Sequence, residues 1–330
     1  MHRLASLLSR AGLNAFFFLM LGVVALAWLF PQAGSGDSPL PLKQAGNIGV
    51  AIIFFFYGLK LDPVKLRSHL GHWKMHLLIQ STTFLLFPIV ILISRSIFYE
   101  PATDLLWVGT FYLAALPSTV SSSVVMVSMA GGNIPAAIFN ASISSLIGIF
   151  VTPLWMNLFV SQQALATGRL SGVILDLCVQ VLLPVAIGLM LHGKLGFLAE
   201  RFKTQMRYFD QAIILLIVFR AFSDSFLNNM FEHYSIPALF LLGGLMLLLF
   251  FVMFLFMQLL SVRMGLSRED RITVIFCGSK KSLVQGAVMG QVLFPEAAAL
   301  GIVLLPIMIY HALQLLAGSI VAQRMARSAI

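Results

Sequence analysis

Two short stretches of this chain combine residue types that could do chemistry. In the first, Pro117-Ser-Thr-Val-Ser-Ser-Ser123, the residues Ser118, Thr119, Ser121, Ser122 and Ser123 put five hydroxyls within six positions. Each hydroxyl offers one donor and two acceptor lone pairs, so such a run can line a site for a cation or a polar solute. A single Ser usually bonds only to the preceding turn or to a neighbouring helix. Five beside a proline point instead to backbone that leaves the helical pattern. The second stretch is Gly278-Ser-Lys-Lys-Ser282, which contains Ser279, Lys280 and Lys281. Both interrupt otherwise apolar sequence.

The lysine pair is the stronger signal. A lysine at the centre of a membrane helix costs roughly 2.5–3.5 kcal/mol on insertion scales. One lysine could snorkel to an interface. Alternatively, at least one faces an internal site, where it meets an anion, titrates with protons, or stands where other proteins hold a cation. Adjacent positions differ by about 100° around a helix, so both can face one cavity only if the helix is broken there.

These readings need a membrane, and the composition provides one. Of 330 residues, 59% are hydrophobic and 10% charged, against roughly 45–50% and about 25% in soluble domains. The mean hydropathy is +0.96. So few charges cannot cover a water-exposed surface, which excludes an ordinary soluble enzyme and a disordered chain. The formal charge of +9 forms no stripe or tail, so no nucleic-acid partner is expected. Cys178 and Cys277 lie far apart in apolar sequence and form neither a disulfide framework nor zinc spacing. Long apolar runs without a ten-residue alternating pattern predict helices rather than a barrel.

About 20 apolar residues cross a bilayer as a helix. Ten such segments are read near 14–31, 46–61, 74–94, 104–130, 133–160, 171–192, 209–228, 236–261, 271–293 and 297–321. The run at Phe16–Phe30 is long for a cleaved signal core, so the first span is expected to be retained. With the N-terminus inside, fifteen of the 21 basic residues fall in inner segments and only Lys43, Arg95 and Arg169 in outer ones. That asymmetry follows the positive-inside rule and places both termini in the cytoplasm. Arg220, Lys280 and Lys281 complete the set, within spans.

Ten spans divide into five and five, which orients the halves oppositely, as inverted repeats require. The boundary is placed in the outer loop, giving repeats of about 10–165 and 166–325. The two polar interruptions then occupy the fourth span of each half, the best sequence pointer to a transporter's binding site. Broken helices expose half-helix ends that attract ions.

Other constellations read as structural. His69, His72 and His76 lie beside Trp73 and Lys74, where aromatic and basic residues anchor an interface. Asp176 and Arg220 sit near span ends, where snorkelling or mutual pairing is expected. No HExxH helix, paired in-span aspartates or partnered Ser–His motif occurs, so no enzyme is expected. A regulator or receptor that does not transport is the rival reading.

At this point the chain resembles a known family. Phe54-Phe-Phe-Tyr-Gly-Leu-Lys-Leu61, Leu116-Pro-Ser-Thr-Val-Ser-Ser-Ser123, Gly131-Gly-Asn133, Phe139-Asn140 and Phe276-Cys-Gly-Ser-Lys-Lys-Ser-Leu283 resemble the bile acid:sodium symporter superfamily. The nearest likeness is to its bacterial sodium/bile acid cotransporter-like branch. The resemblance implies an all-α fold of ten helices in a panel and a core domain, with helices four and nine broken and crossing beside sodium sites. It implies ligand roles for Ser122 and Ser123, for Asn140 and Ser144 on the fifth helix, and for Gln80 on the third. It aligns Gly278–Ser282 with the ninth-helix break.

The chain departs from sodium-coupled members at Phe276-Cys277, where they carry a carboxylate, and at Lys280-Lys281, where they carry a glutamine-asparagine pair. A lysine-rich site repels sodium, and a fixed ammonium can replace one cation. The expectation is an inner-membrane secondary transporter of a small amphipathic organic anion. Sodium, proton or no coupling all stay open, and sodium is the one ion that could act as a cofactor.

Overall fold

The computed structural model describes residues 15–36, 38–60, 72–98, 104–164, 178–232, 234–294 and 297–327, and every regular element among them is helical. The first elements are α1 (Ala15–Leu29), the single turn α2 (Pro31–Gly34), and α3 (Leu42–Lys60). Next comes α4 (Trp73–Ser81), continued through a π-helical turn, Thr82–Leu86, into α5 (Phe87–Phe98). They are followed by α6 (Asp104–Ala115), α7 (Ser121–Ala130) and α8 (Ile134–Ala164). A second π turn, Cys178–Leu182, leads into α9 (Leu183–Arg201), and α10 (Lys203–Leu227) follows. The remainder comprises α11 (Ile236–Arg263), α12 (Arg268–Gly278), α13 (Leu283–Leu293) and α14 (Ala297–Arg327).

Among the described residues, six helical stretches are long and apolar enough to cross a bilayer: Leu42–Lys60, Trp73–Arg95, Ile134–Leu158, Val179–Arg201, Ile236–Arg263 and Ala297–Arg327. Phe18–Leu29 and Leu105–Ala115 are shorter apolar helices. Leu154, Leu158, Phe240 and Leu255 turn outward. An apolar outer face of this kind needs lipid rather than water, so the chain is a polytopic membrane protein.

The helices pack in two groups. In one, α10 lies against α1, α2 and α3, and α9 packs along α3. That last contact is backbone to backbone: a Cβ on Gly58 would overlap the Val185 carbonyl, and one on Gly188 would overlap the Phe55 carbonyl. Small residues permit this approach where apolar lipid gives no hydrophobic drive for association. In the other group, α14 packs on α6, α7 and α11, while α12 contacts α4, α7, α8 and α11. The seam runs where α10 meets α13 and α14 and where α3 meets α13. Across it, Ser225 Oγ donates to the Ala298 carbonyl at 2.6 Å and Gln291 Nε2 to Asn47 Oδ1 at 3.3 Å.

The two polar stretches are real interruptions. Pro117 follows α6, lacking the N–H that a further turn needs. After the break α7 runs to Gly131, whose φ of 75° closes the helix in the left-handed conformation that glycine tolerates. Between α12 and α13 the chain unwinds over residues 279–282, and the Ser282 hydroxyl caps α13 by accepting from the Gln285 amide at 3.2 Å.

Candidate functional site

The two interruptions meet, and each supplies what the other's broken ends lack. A helix end leaves carbonyls without intrahelical partners, and at membrane depth each must be satisfied by protein. At the end of α6, Ala115 accepts from Thr152 Oγ1 at 2.8 Å and Pro117 from the Ser282 amide at 3.0 Å. Ala114 and Leu116 accept from Lys281 Nζ at 2.7 and 2.8 Å. At the end of α12, Phe276 accepts from Ser123 Oγ at 3.2 Å and Cys277 from Ser118 Oγ at 2.6 Å. The first break caps the second and the second caps the first.

Lys281 is the hub. Besides Ala114 and Leu116, its ammonium donates to the Thr83 carbonyl at 2.7 Å, and it lies 4.2 Å from the centroid of the Phe87 ring. The Thr83 carbonyl is free for a reason written in the sequence. In the π turn the Phe87 amide bonds to Thr82 instead, and the next residue, Pro88, has no N–H to offer. Three carbonyls and an aromatic face around one nitrogen form the shell of a cation site, with the cation tethered to the backbone. The Lys281 backbone is pinned as well: its amide donates to Gln314 Oε1 at 2.9 Å, and its carbonyl accepts from Gln314 Nε2 at 2.8 Å.

Lys280 is held differently. Its Nζ donates to the Ser122 carbonyl at 3.1 Å and touches Met126 Sδ. Gly318 of α14 leaves room for this contact, because a Cβ there would lie 2.8 Å from Met126 Sδ. Lys280 and Lys281 are 0% and 1% exposed. Neither snorkels to an interface and neither opens on solvent.

The other expected site residues fall around this crossing. The Ser118 amide donates to Ser144 Oγ at 2.9 Å, joining the first break to α8. Ser122 Oγ reaches Thr119 Oγ1 at 3.4 Å, and Ser279 Oγ donates back to Ile275 at 2.7 Å. Gln80 Nε2 donates to the Asn140 carbonyl at 3.2 Å, while Gln80 Oε1 is buried without a hydrogen-bond partner among the described residues. Ser118, Ser123 and Ser144 brace separate segments against one another, while Ser122 and Ser279 bond within their own. Val120, by contrast, is 43% exposed, and α7 starts there without a side-chain cap.

Sequence reasoning missed several partners and misread one. His76 was expected at an interface, yet it is 8% exposed, with its Nδ1 2.9 Å from Asn140 Nδ2. It sits one helical turn inside His72, which is exposed and pairs with Asp270 at 3.1 Å. From His76 inward one face of α4 and its π turn is polar and turned into the protein, a pattern visible as His76, Gln80 and Thr83 at spacings of four and three. His69 and Asp176 lie outside the described residues. Tyr310, whose hydroxyl donates to Ser279 at 2.7 Å, and Gln314 had no local signal at all.

Interrupted helices that meet at the heart of an apolar bundle define the class: a multi-pass, all-helical membrane protein. The family described as SBF-like CPA transporter matches residues 14–327, and the chain belongs to it. An uncharacterised protein of Pseudomonas aeruginosa is 38% identical over 315 residues, spanning 94% of this chain and 92% of its own. YfeH of Escherichia coli, a candidate symporter by its name, is 34% identical over 317 residues, covering 96% and 93%. Sodium/bile acid cotransporter 7 of Xenopus tropicalis is 30% identical over 321 residues, covering 95% and 92%.

Proposed function

We propose that this protein is a secondary transporter of a small organic anion, an amphipathic carboxylate or sulfate, working by alternating access around the crossed helices. In this reading the ten sequence spans form two inverted five-helix repeats, 10–165 and 166–325, in an inner membrane with both termini cytoplasmic. The start of α7, which has no side-chain cap, supplies the positive end of a helix dipole for the anion. The seam between the α1–α3, α9, α10 group and the rest is the surface along which the groups rock.

One observation carries the mechanism: Lys281 Nζ donates to Thr83, Ala114 and Leu116, carbonyls drawn from two neighbouring helices. Those acceptors would suit a mobile cation, and a covalently held ammonium takes its place. Transport is then independent of sodium at that position. A sodium-coupled cycle is the second reading, favoured by the buried Gln80 Oε1 and Thr83 Oγ1, which have no hydrogen-bond partners among the described residues. The names of the relatives, a candidate symporter and a sodium/bile acid cotransporter, support transport of a solute and leave its identity to experiment.

The test is uptake of candidate carboxylates and sulfates into proteoliposomes, with and without a sodium gradient, for wild type, Lys280→Ala and Lys281→Ala. Sodium-independent uptake that is lost in Lys281→Ala supports the tethered cation. Uptake unchanged in both variants sinks a role for the lysines. Uptake that follows the sodium gradient in the wild type favours the second reading.

A further inference from the structure

Away from the crossing, α10 carries a second charge that the mechanism above does not use. Arg220 is 7% exposed, yet it forms no ion pair among the described residues. Asp224, one turn further along α10, is occupied in accepting the Gly36 amide at 3.0 Å. An unpaired buried guanidinium is costly, and its five donors in a planar fork match an oxyanion. Arg220 also breaks the charge pattern: it sits toward the span end that the positive-inside partition assigns to the outer face, where basic residues are scarce.

The guanidinium lines a cavity of about 360 Å³ between α10 and the loop that enters α3, and Ser38, Lys43 and Gln44 line it too. Lys43 adds a second positive charge. The first turn of α3, a 19-residue helix, brings the amides of Lys43 and Gln44, which have no intrahelical acceptors. The cavity adjoins the seam: Gly46, two residues beyond Gln44, would bring a Cβ within 3.9 Å of Gln291 Nε2 of α13, and Gln291 bonds Asn47.

We propose that Arg220, Lys43 and the start of α3 form a binding site for an oxyanion headgroup (carboxylate, sulfate or phosphate) at the outer mouth of the seam. In the transport reading, on which only this second role rests, the site captures the anionic head of the substrate before it reaches the crossing. The same chemistry would also take the phosphate of an anionic lipid, and the experiment separates the two sources.

The experiment uses the purified full-length protein. Thermal unfolding is followed against sodium sulfate, with sodium chloride at matched ionic strength as reference, in neutral detergent. It is repeated in phosphatidylcholine nanodiscs with and without phosphatidylglycerol. Sulfate should stabilise wild type, Arg220→Gln should weaken its apparent affinity about tenfold or more, and Arg95→Gln, an outer charge elsewhere, should leave it unchanged. Lys43→Gln, a helix-start change that tests the site if Arg220→Gln does not fold, should weaken it about threefold.

Stabilisation seen only with phosphatidylglycerol, and lost in Arg220→Gln, also supports the site and names lipid as its source. Equal stabilisation of wild type and Arg220→Gln, or none in any medium, overturns it. Sulfate binding that persists while uptake fails would count against transport and not against this site.

Discussion

Lys281 and Thr83 are joined by a 2.7 Å hydrogen bond that ties the second helix break to a π turn in a neighbouring helix. That bond is one of three to backbone carbonyls from the same ammonium. Lys281→Met therefore leaves three buried acceptors unpaired, each at about 1–3 kcal/mol. The variant is expected to lose roughly 3 kcal/mol or more of stability, measured by thermal unfolding in detergent. Lys281→Ala adds a cavity lined by the same carbonyls. If they form a cation shell, sodium or methylammonium restores part of the lost stability in Lys281→Ala and does nothing for wild type. No cation dependence in the variant would remove the tethered-cation reading.

Lys280 should behave in the opposite way. Its ammonium has one carbonyl and a thioether for partners, a poor return for burying an amine. Methionine matches its length and keeps the contact with Met126. Lys280→Met is expected to change stability by no more than about 1 kcal/mol, or to raise it, and the unfolding curves of the two lysine variants should separate clearly. A loss at Lys280→Met equal to that at Lys281→Met would mean the two lysines share one role.

The serines of the first break hold the end of α12. Ser118→Ala strips the partner from the Cys277 carbonyl and Ser123→Ala from that of Phe276. Each leaves a buried acceptor, at about 1–3 kcal/mol. Ser118→Ala should cost more, because its bond is shorter, 2.6 against 3.2 Å. Ser142→Ala, whose hydroxyl bonds back to Ile138 within its own helix on an exposed face, serves as the comparison and should lie within about 0.5 kcal/mol of wild type.

The crossing was legible in the sequence because membranes make polar residues expensive. Pro117, the hydroxyl run and the paired lysines stood out against apolar surroundings, and the structure brings them together. What Lys281 touches was not legible. Its acceptors are backbone carbonyls, which carry no residue identity, and only Pro88 hints that one is released. Gln314 and Tyr310 lie about 30 positions from the break on a separate helix, and no periodicity links them to it. His76 was misread because a histidine beside Trp73 and Lys74 suits an interface. Only the line His76, Gln80, Thr83 betrays a polar face turned inward.

Gly58 and Gly188 give the last prediction, and it concerns the scaffold rather than the site. A Cβ on Gly58 would overlap the Val185 carbonyl and lie 2.9 Å from the Leu189 amide nitrogen. One on Gly188 would overlap the Phe55 carbonyl and lie 2.8 Å from the Leu59 nitrogen and 3.1 Å from the Gly58 Cα. Backbone cannot swing aside as a side chain can, so α3 and α9 must move apart. Overpacking of this kind costs typically about 1–3 kcal/mol, and Gly58→Ala and Gly188→Ala should each fall at or above that range. Once one alanine has separated the helices, the second meets a gap already opened. The double variant should therefore cost less than the sum of the singles. Gly244→Ala, on α11 with nothing within 4 Å of the place its methyl would take, should fold as wild type does. Additive losses at Gly58 and Gly188 would show that the two contacts yield independently and that α3 and α9 do not move as rigid neighbours.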